Sequence, residues 1–233
     1  MQGGQAGQRP QVREALRRAG ELIVPRNTVV TRTRRPHPQS KNAQPGQVAQ
    51  FLRKLVEATA KMRLGPGLVE ESQMGPLVSK EQERFVLGFI EEGTRAGATL
   101  LAGGRKSEAE ELRAGNFILP TIFTDVAADM RIAREEIFGP VLCAFDFEKE
   151  DDLIAAANRT QYGLAAGVWT QGLPTAHRVA RRLEAGMVSI NEFPVTFPQT
   201  PFSGFKESAL GHEQGLDAVD SYTRIKSVMI NFE

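Results

Sequence analysis

Apolar residues recur at helical spacing in five stretches of the chain. A side chain returns to the same face of a helix every three to four residues, so this spacing predicts amphipathic helices. Ser79 is a favourable N-cap for one of these helices, and Gly97 is a suitable residue to end it. The predicted helices span residues 12–23, 48–62, 80–96, 151–157 and 173–185.

Short apolar or alternating runs lie between these helices and predict strands. The predicted strands span residues 98–104, 116–126, 141–147, 164–170, 187–191 and 221–232. Pro120 places the second strand at an edge or bend, because proline has no N–H for a ladder. The strand at 187–191 is apolar and should be buried, whereas the last one alternates and should be an exposed terminal strand.

Strands that alternate with helices indicate an α/β fold built from βαβ units. The sheet should be rich in parallel strands and flanked by helices on both faces. Ligands of such sheets usually bind at the carboxyl ends of the strands. The sequence has no G-x-G-x-x-G between a strand and a helix, so it shows no dinucleotide-binding fingerprint of its own.

Charge divides the chain near residue 45. Residues 1–45 contain nine Lys and Arg against two Glu, giving +7, and the remainder contains 20 basic and 26 acidic residues, giving −6. The first 45 residues also lack Phe, Tyr and Trp, so they can bury little apolar surface. We therefore predict a poorly ordered basic extension over 1–45, a folded domain over 46–220 and a terminal strand over 221–233. A transit peptide and a nucleic-acid-binding arm are weaker alternatives for the extension.

Composition excludes several classes of protein. A single cysteine excludes an internal disulfide framework and any multi-cysteine metal site, so no metal is predicted. No apolar run approaches the roughly 20 residues that cross a bilayer, and the first residues lack the apolar core of a secretory signal. A net charge of +1 favours neither nucleic acid nor membrane as a partner. We expect a cytoplasmic protein.

Two stretches contain candidate chemistry. Glu136 stands two residues before Phe138, at a Gly-Pro turn that leads into the strand at 141–147. A carboxylate accepts hydrogen bonds from two neighbouring hydroxyls, as on a ribose, and an aromatic face packs on a flat ring such as nicotinamide. The alternative is a solvated glutamate beside a core phenylalanine. The second stretch is the proline-rich loop after Asn191, which forms either the wall of a hydrophobic substrate site or a cover for the core.

Cys143 lies inside an apolar strand between Leu142 and Ala144. A thiol buried in apolar surroundings has a raised pKa and forms little thiolate. No histidine is its neighbour in sequence. We therefore expect Cys143 to pack in the core rather than to act as a nucleophile.

Four stretches resemble successive motifs of the NAD(P)-dependent aldehyde dehydrogenase superfamily, in the family's order and at family-like spacing. They are residues 135–140, with the E-x-F-G-P pattern, and residues 158–170, 186–191 and 201–215. The resemblance covers about residues 47 to 233. It implies the C-terminal portion of the family's catalytic domain, with an oligomerisation strand and without the family's Rossmann-type domain.

The resemblance also implies roles for individual residues. Glu136 should bind the ribose hydroxyls next to the nicotinamide of NAD or NADP, and Phe138 should pack on the nicotinamide. The loop from Asn191 through Phe197 to Phe202 should line the access tunnel of the aldehyde substrate.

Two further regions match the family. Glu213 corresponds to a glutamate thought to help pass protons, and the alternative is an exposed carboxylate at a helix start. Residues 222–231, which include Lys226, should form the strand through which homo-oligomers assemble.

The chain departs from the family at the catalytic centre. The family's reaction uses a cysteine thiolate that attacks the aldehyde, after which hydride passes to the nicotinamide and water releases the acid. That cysteine follows a Gly-Gln pair, and here Ala6 and Gly7 occupy the first candidate positions. Ser203 and Ala209 stand where the family usually has glycine, so we expect a strained or altered backbone there.

We therefore expect a truncated form of an aldehyde-oxidising enzyme that contains no catalytic nucleophile and is inactive by itself. The alternatives are a non-enzymatic subunit that assembles through its terminal strand, a degraded gene product, and an enzyme that uses Cys143 in a new way.

Overall fold

The computed structural model describes residues 22–25, 28–32, 47–147, 149–192 and 196–232. The helices are α1 (Gln47–Ala60), α2 (Lys80–Arg95), α3 (Arg131–Arg134), α4 (Glu150–Asn158), α5 (Leu173–Arg182) and α6 (Ala218–Tyr222), with a 3-10 turn at Glu110–Leu112. The strands are β1 (Leu22–Pro25), β2 (Thr28–Arg32), β3 (Thr99–Ala102), β4 (Thr121–Thr124), β5 (Val141–Phe147), β6 (Tyr162–Gly163), β7 (Ala165–Trp169), β8 (Met187–Ile190) and β9 (Phe205–Lys206).

The main sheet has seven strands in the order β3-β4-β5-β2-β1-β7-β8. Strands β4, β5, β2, β7 and β8 all run in one direction, whereas β1 and β3 run against their neighbours. Strands β6 and β9 pair separately. The prediction of an α/β fold with a sheet rich in parallel strands is confirmed.

Helices cover both faces of the sheet unequally. One face packs against α2 to α5, through clusters that contain Val86, Phe89, Leu153 and Val179. The other face packs against α1, where Phe51 and Leu55 meet side chains of β4 and β7. In β4 the neighbours Ile122 and Phe123 belong to different clusters, because successive side chains of a strand point to opposite faces.

Strands β1 and β2 were not predicted from the sequence. They lie within the basic extension and occupy the centre of the sheet, between β5 and β7. The helix predicted over 12–23 is wrong at Leu22 and Ile23, which belong to β1, and its other residues lie outside the described part of the chain. Pairing with two neighbouring strands, rather than local periodicity, decides the conformation here.

Three strand predictions need correction. Pro120 precedes β4 by one residue, and β4 is paired on both sides, so the alternative of an edge strand is wrong and that of a bend stays a prediction. Strand β8 is at the edge of the sheet and only half-buried, although its apolar sequence predicted burial. The terminal strand predicted over 221–232 is absent from the structure, because Ser221 and Tyr222 end α6 and residues 223–232 have no regular secondary structure.

Candidate active-site region

The turn at 135–140 connects α3 to β5 and is fixed by contacts with α2. Ile137 is fully buried and anchors the turn in the core. The side-chain amide of Gln82 donates hydrogen bonds to the carbonyls of Ile137, at 3.0 Å, and Phe138, at 3.1 Å. Gly139 packs directly on Val86, and an added Cβ would come within 2.6 Å of a Val86 methyl group. The turn is therefore rigidly attached to one face of α2.

Phe138 adopts an unusual backbone conformation in this turn. Its φ of +49° lies in the left-handed region, which bulky L-residues rarely adopt, and the residue is 68% exposed. The structure does not bury Phe138 in the core, so the alternative of a core phenylalanine is wrong.

The two adjacent carboxylates, Glu135 and Glu136, have different surroundings. Glu135 accepts a hydrogen bond from Arg131 Nε at 2.8 Å, and this bond lowers the pKa of Glu135. Arg131 also binds Glu92 at 3.1 Å and lies 4.3 Å above the ring of Phe89. Glu135 is therefore part of a structural ion-pair cluster. Both carboxylates line one cavity, and Glu136 is the more buried of the two.

This cavity has a volume of about 90 Å³ and lies at the end of the sheet where the parallel strands begin. Its walls come from the end of α3, the end of α4 and the residues that lead into β7 and β8. They include Ile132, Glu136, Asn158, Thr160, Tyr162 and Glu184. The prediction that ligands meet the carboxyl ends of the strands does not fit this cavity, because Glu136, which lines it, precedes β5. Phe138 also precedes β5 but is not among the residues that line the cavity.

Lys206 holds the wall of the cavity together. Its ammonium group donates hydrogen bonds to the carbonyl of Asn158, the last residue of α4, at 2.6 Å, and to that of Thr160 at 3.0 Å. It also forms an ion pair with Glu184 at 2.6 Å. The side chain of Asn158 in turn bonds the backbone of Arg182 and Glu184. A cation is favourable at a helix C-terminus, where carbonyls lack helical partners.

Asn191 lies at the opposite end of the strands, directly after β8. Its side-chain oxygen accepts a hydrogen bond from Thr170 N–H and its amide donates to Thr170 O, both at 3.0 Å. The backbone of Asn191 has a φ of +57°. The structure therefore gives Asn191 a role in joining the ends of β7 and β8, and its predicted contact with substrate stays a prediction.

The loop after Asn191 returns toward the beginning of β8. Phe197 is exposed and Phe202 is half-buried. Phe202 and Glu213 form an isolated antiparallel bridge, which places the backbone of Glu213 next to the predicted aldehyde path. The carboxylate of Glu213 is exposed, and α6 begins only at Ala218, so Glu213 is not in a helix.

The expectation of a strained backbone is wrong for Ser203 and Ala209, which have no positive φ angle, whereas an altered backbone there stays a prediction. Positive φ angles of non-glycine residues in this part of the chain occur at Lys206, at +55°, and Gln214, at +59°. Ser203 uses its hydroxyl to donate to Gly211 O at 2.8 Å, so this residue takes part in closing the loop.

Cys143 is in the middle of β5 and is completely buried. It is paired with Phe123 of β4 on one side and with Thr28 of β2 on the other. Its thiol donates to Ile132 O at 3.5 Å, and burial raises the pKa of Cys143 to about 12. The prediction that Cys143 packs in the core is confirmed.

The supporting roles of Gln82, Asn158 and Lys206 in this region were not predicted from the sequence. Gln82 follows Ser79 at the spacing of a capping box, which is a helix signal, but its partners are more than 50 residues away. Within the described residues, no group of three or more His, Cys, Asp or Glu is arranged to hold a metal ion. The same residues include no helix that is long and apolar enough to cross a membrane.

Comparison with known proteins identifies relatives for most of the chain. The model of the aldehyde dehydrogenase family matches residues 43–228. The chain is 48% identical over 180 residues to a betaine aldehyde dehydrogenase of Brucella anthropi, and this match covers 77% of the chain and 37% of the relative. A betaine aldehyde dehydrogenase of Mesorhizobium japonicum matches to the same extent.

Solved structures give the same result. An NAD+ complex of aldehyde dehydrogenase from Bacillus cereus is 45% identical and superimposes with a TM-score of 0.74, covering 79% of this chain and 37% of that one. Betaine aldehyde dehydrogenase from Staphylococcus aureus in complex with NAD+ is 36% identical with a TM-score of 0.72, covering 75% of this chain and 34% of that one. The chain thus spans little more than a third of the length of these relatives. By its sequence and its fold alike, it belongs to the aldehyde dehydrogenase family.

Proposed function

We propose that the chain contributes part of an active site that oxidises an aldehyde to a carboxylic acid with NAD or NADP. The observation that carries this proposal is the pairing of Glu136, which lines the cavity, with the exposed ring of Phe138 in one rigid turn. Family membership supports the reaction class, and the NAD+ complexes of two relatives favour NAD.

The residues of the turn fit the nicotinamide end of the cofactor. A carboxylate is an acceptor for two ribose hydroxyls, and an exposed aromatic ring offers an apolar face to the nicotinamide. When bound, the cofactor supplies the hydride acceptor. The chain's own contribution is to bind and orient this end of the cofactor, because Gln82 and Val86 fix the turn that contains both residues.

We assign the substrate path to the loop after β8. Phe197 and Phe202 supply apolar surface for an aldehyde, and Asn191 lies where this loop begins. Glu213 is linked to Phe202 through the backbone, so a proton relay through its exposed carboxylate would operate beside the substrate path.

The chain taken by itself should not catalyse the reaction. Its only thiol belongs to Cys143, which is buried and has a raised pKa, so it provides no thiolate for attack on an aldehyde. Formation of reduced cofactor that depends on aldehyde, and that persists in the Cys143→Ala variant, would overturn this assignment.

Binding of nicotinamide mononucleotide tests the cofactor assignment directly. We expect ligand-detected NMR to show weak binding to the purified chain and about tenfold weaker binding to Glu136→Gln, as is typical for loss of a charged acceptor. Glu111→Gln is the matched control, because Glu111 is exposed on the 3-10 turn. Equal binding by wild type and Glu136→Gln would contradict the role of Glu136.

A second candidate function is assembly without catalysis. Large apolar side chains of the C-terminal tail are exposed, including Ile225 at 102%, Met229 at 95% and Phe232 at 90%. Exposed apolar surface in a continuous segment favours association, and residues 222–231 could pair with the same segment of a second copy.

The molar mass in solution distinguishes this function. We expect a dimer or larger oligomer by light scattering, and a monomer for Ile225→Asp. Leu68→Asp is the control, because Leu68 is equally exposed but lies outside the tail. A wild-type monomer, or an oligomer that tolerates Ile225→Asp, would rule out assembly through this segment.

A further inference from the structure

The side chain of Gln82 does not do what its position in the helix predicts. Ser79 and Gln82 have the spacing of a capping box, in which the residue at the third helical position bonds back to the N-cap N–H. Ser79 makes the first bond of the capping box, because its hydroxyl accepts a hydrogen bond from Gln82 N at 3.1 Å. The Gln82 amide instead donates to two carbonyls of the turn at 135–140.

The two acceptors flank the point of greatest backbone strain in the turn. They are the carbonyls of Ile137 and Phe138, and Phe138 has a φ of +49°. A non-glycine residue keeps such a conformation only when its surroundings hold it there. Buried Ile137 and the contact of Gly139 with Val86 hold both sides of the turn, and Gln82 is bonded to the strained residue itself.

We infer that Gln82 is a positioning residue that keeps Phe138 in its left-handed conformation and thereby presents Glu136 and Phe138 to their ligand. Position 82 needs a donor because both partners are acceptors; the glutamine amide supplies one, whereas a carboxylate would place a third acceptor against them. The holding of the turn is independent of any ligand, whereas its value for cofactor binding rests on the proposed function.

Gln82→Glu separates this role from helix capping. At the start of a helix an acidic residue is at least as favourable as glutamine, since it complements the helix dipole, so capping alone predicts an unchanged or more stable helix. The positioning role predicts the opposite at the turn. Gln82→Ala removes the two bonds without adding charge, and Gln50→Glu is the matched control, because exposed Gln50 lies in the first turn of α1.

Amide hydrogen exchange at the turn gives a local readout. Val141 N–H donates to Gly139 O and Thr121 N–H donates to Pro140 O, both at 2.8 Å, so exchange at Val141 and Thr121 reports opening of the turn. We expect exchange at these amides to accelerate about tenfold or more in both Gln82 variants, in line with the loss of two hydrogen bonds. The amides of β7 should keep their wild-type rates, as should every amide in Gln50→Glu.

Two results would overturn the inference. The first is wild-type exchange at Val141 and Thr121 in Gln82→Glu. The second is equal acceleration in β7, which would show global destabilisation instead of a local effect. Hydrogen exchange in Gln82→Glu tests the role of Gln82, and nucleotide binding to Glu136→Gln tests the cofactor assignment, so failure of the one is distinguishable from failure of the other.

Discussion

Phe202 and Glu213 exchange two backbone hydrogen bonds, from Phe202 N–H to Glu213 O at 2.6 Å and from Glu213 N–H to Phe202 O at 2.8 Å. This pair closes the loop that follows β8. It also joins the residue proposed for the aldehyde path to the residue proposed for proton transfer. A disturbance of the loop closure should therefore affect both.

Gly215 provides a test of this loop closure. Its φ is +62°, it donates to Pro198 O at 3.0 Å, and an added Cβ would lie 3.0 to 3.2 Å from atoms of Pro201. We expect Gly215→Ala to lower the free energy of unfolding by about 1–2 kcal/mol, measured by urea denaturation. Gly75→Ala should change it by less than about 0.5 kcal/mol, because Gly75 faces open space. Equal effects of the two substitutions would contradict the steric argument.

Two glycines in contact with α2 should respond in opposite directions to alanine. Gly139→Ala brings a methyl group within 2.6 Å of the fully buried Val86, so we expect a loss of about 1–3 kcal/mol in the free energy of unfolding. Gly88 lies within α2 and faces open space, so Gly88→Ala should add about 0.5–1 kcal/mol through helix propensity. Thermal and urea unfolding measure both, and a Gly139→Ala variant as stable as wild type or more stable would show that the contact with Val86 is unimportant.

The thiol of Cys143 should be unreactive in the folded chain. We expect no labelling by iodoacetamide at pH 8 under native conditions and complete labelling in denaturant, because the side chain is fully buried. Fast labelling of the native chain would contradict the burial of Cys143 and support the alternative that it acts as a nucleophile.

The raised pKa of Cys143 also predicts how stability depends on alkaline pH. The folded state binds the thiol proton more tightly than the unfolded state, so the contribution is fully present below pH 9 and is lost as the pH rises from 9 toward 12. Cys143→Ala should be less stable at pH 7 because of the cavity, yet its stability should decline less steeply over this alkaline range. Equal slopes in the two proteins would contradict the role of burial.

Glu150 connects α4 to α5 and should make this contact dependent on acidic pH. It binds Arg178 through two hydrogen bonds of 2.8 and 2.7 Å, and the bond with Arg178 lowers the pKa of Glu150. The pair is partly exposed, so we expect Glu150→Gln to lower the free energy of unfolding by only about 0.5–1 kcal/mol at pH 7.

The sign of this pH dependence follows from the lowered pKa. The contribution of Glu150 is present above the ordinary glutamate pKa of 4.5 and is lost as the pH falls through the lower value of the folded state. The difference between wild type and Glu150→Gln should therefore shrink below pH 4.5 in urea denaturation experiments. A difference that persists or grows in acid would show that the ion pair is not its source.

Local patterns correctly predicted the elements whose ends and apolar residues are marked in their own sequence. Ser79 and Gly97 set the ends of α2, and the apolar run at 141–147 forms β5. The pattern failed for residues 223–232, where alternation predicts a strand but no partner strand is paired with them in the structure. A strand needs hydrogen-bonding neighbours as well as a pattern, so alternation alone does not establish one.

The candidate site illustrates the same limit. The motif selected Glu136 and Phe138, but the sequence did not show that Glu135 belongs to an ion-pair cluster, because its partner Arg131 has a second contact with Glu92 on α2. Sequence reasoning also missed Gln82 and Lys206, because the carbonyls that they bind are distant in sequence. Hydrogen bonds to backbone carbonyls do not depend on the identity of the residues that bear them, so they leave no pattern in the sequence.

The sequence by itself determined the fold class, the main helices and the presence of a single thiol, because periodicity, capping residues and composition act locally. Only the tertiary structure decided that the thiol is buried between β4 and β2, that β1 and β2 enter the centre of the sheet, and that Phe138 is held in a left-handed turn. These features depend on contacts between distant segments, and the free energy of such contacts overrides local preference wherever the two disagree.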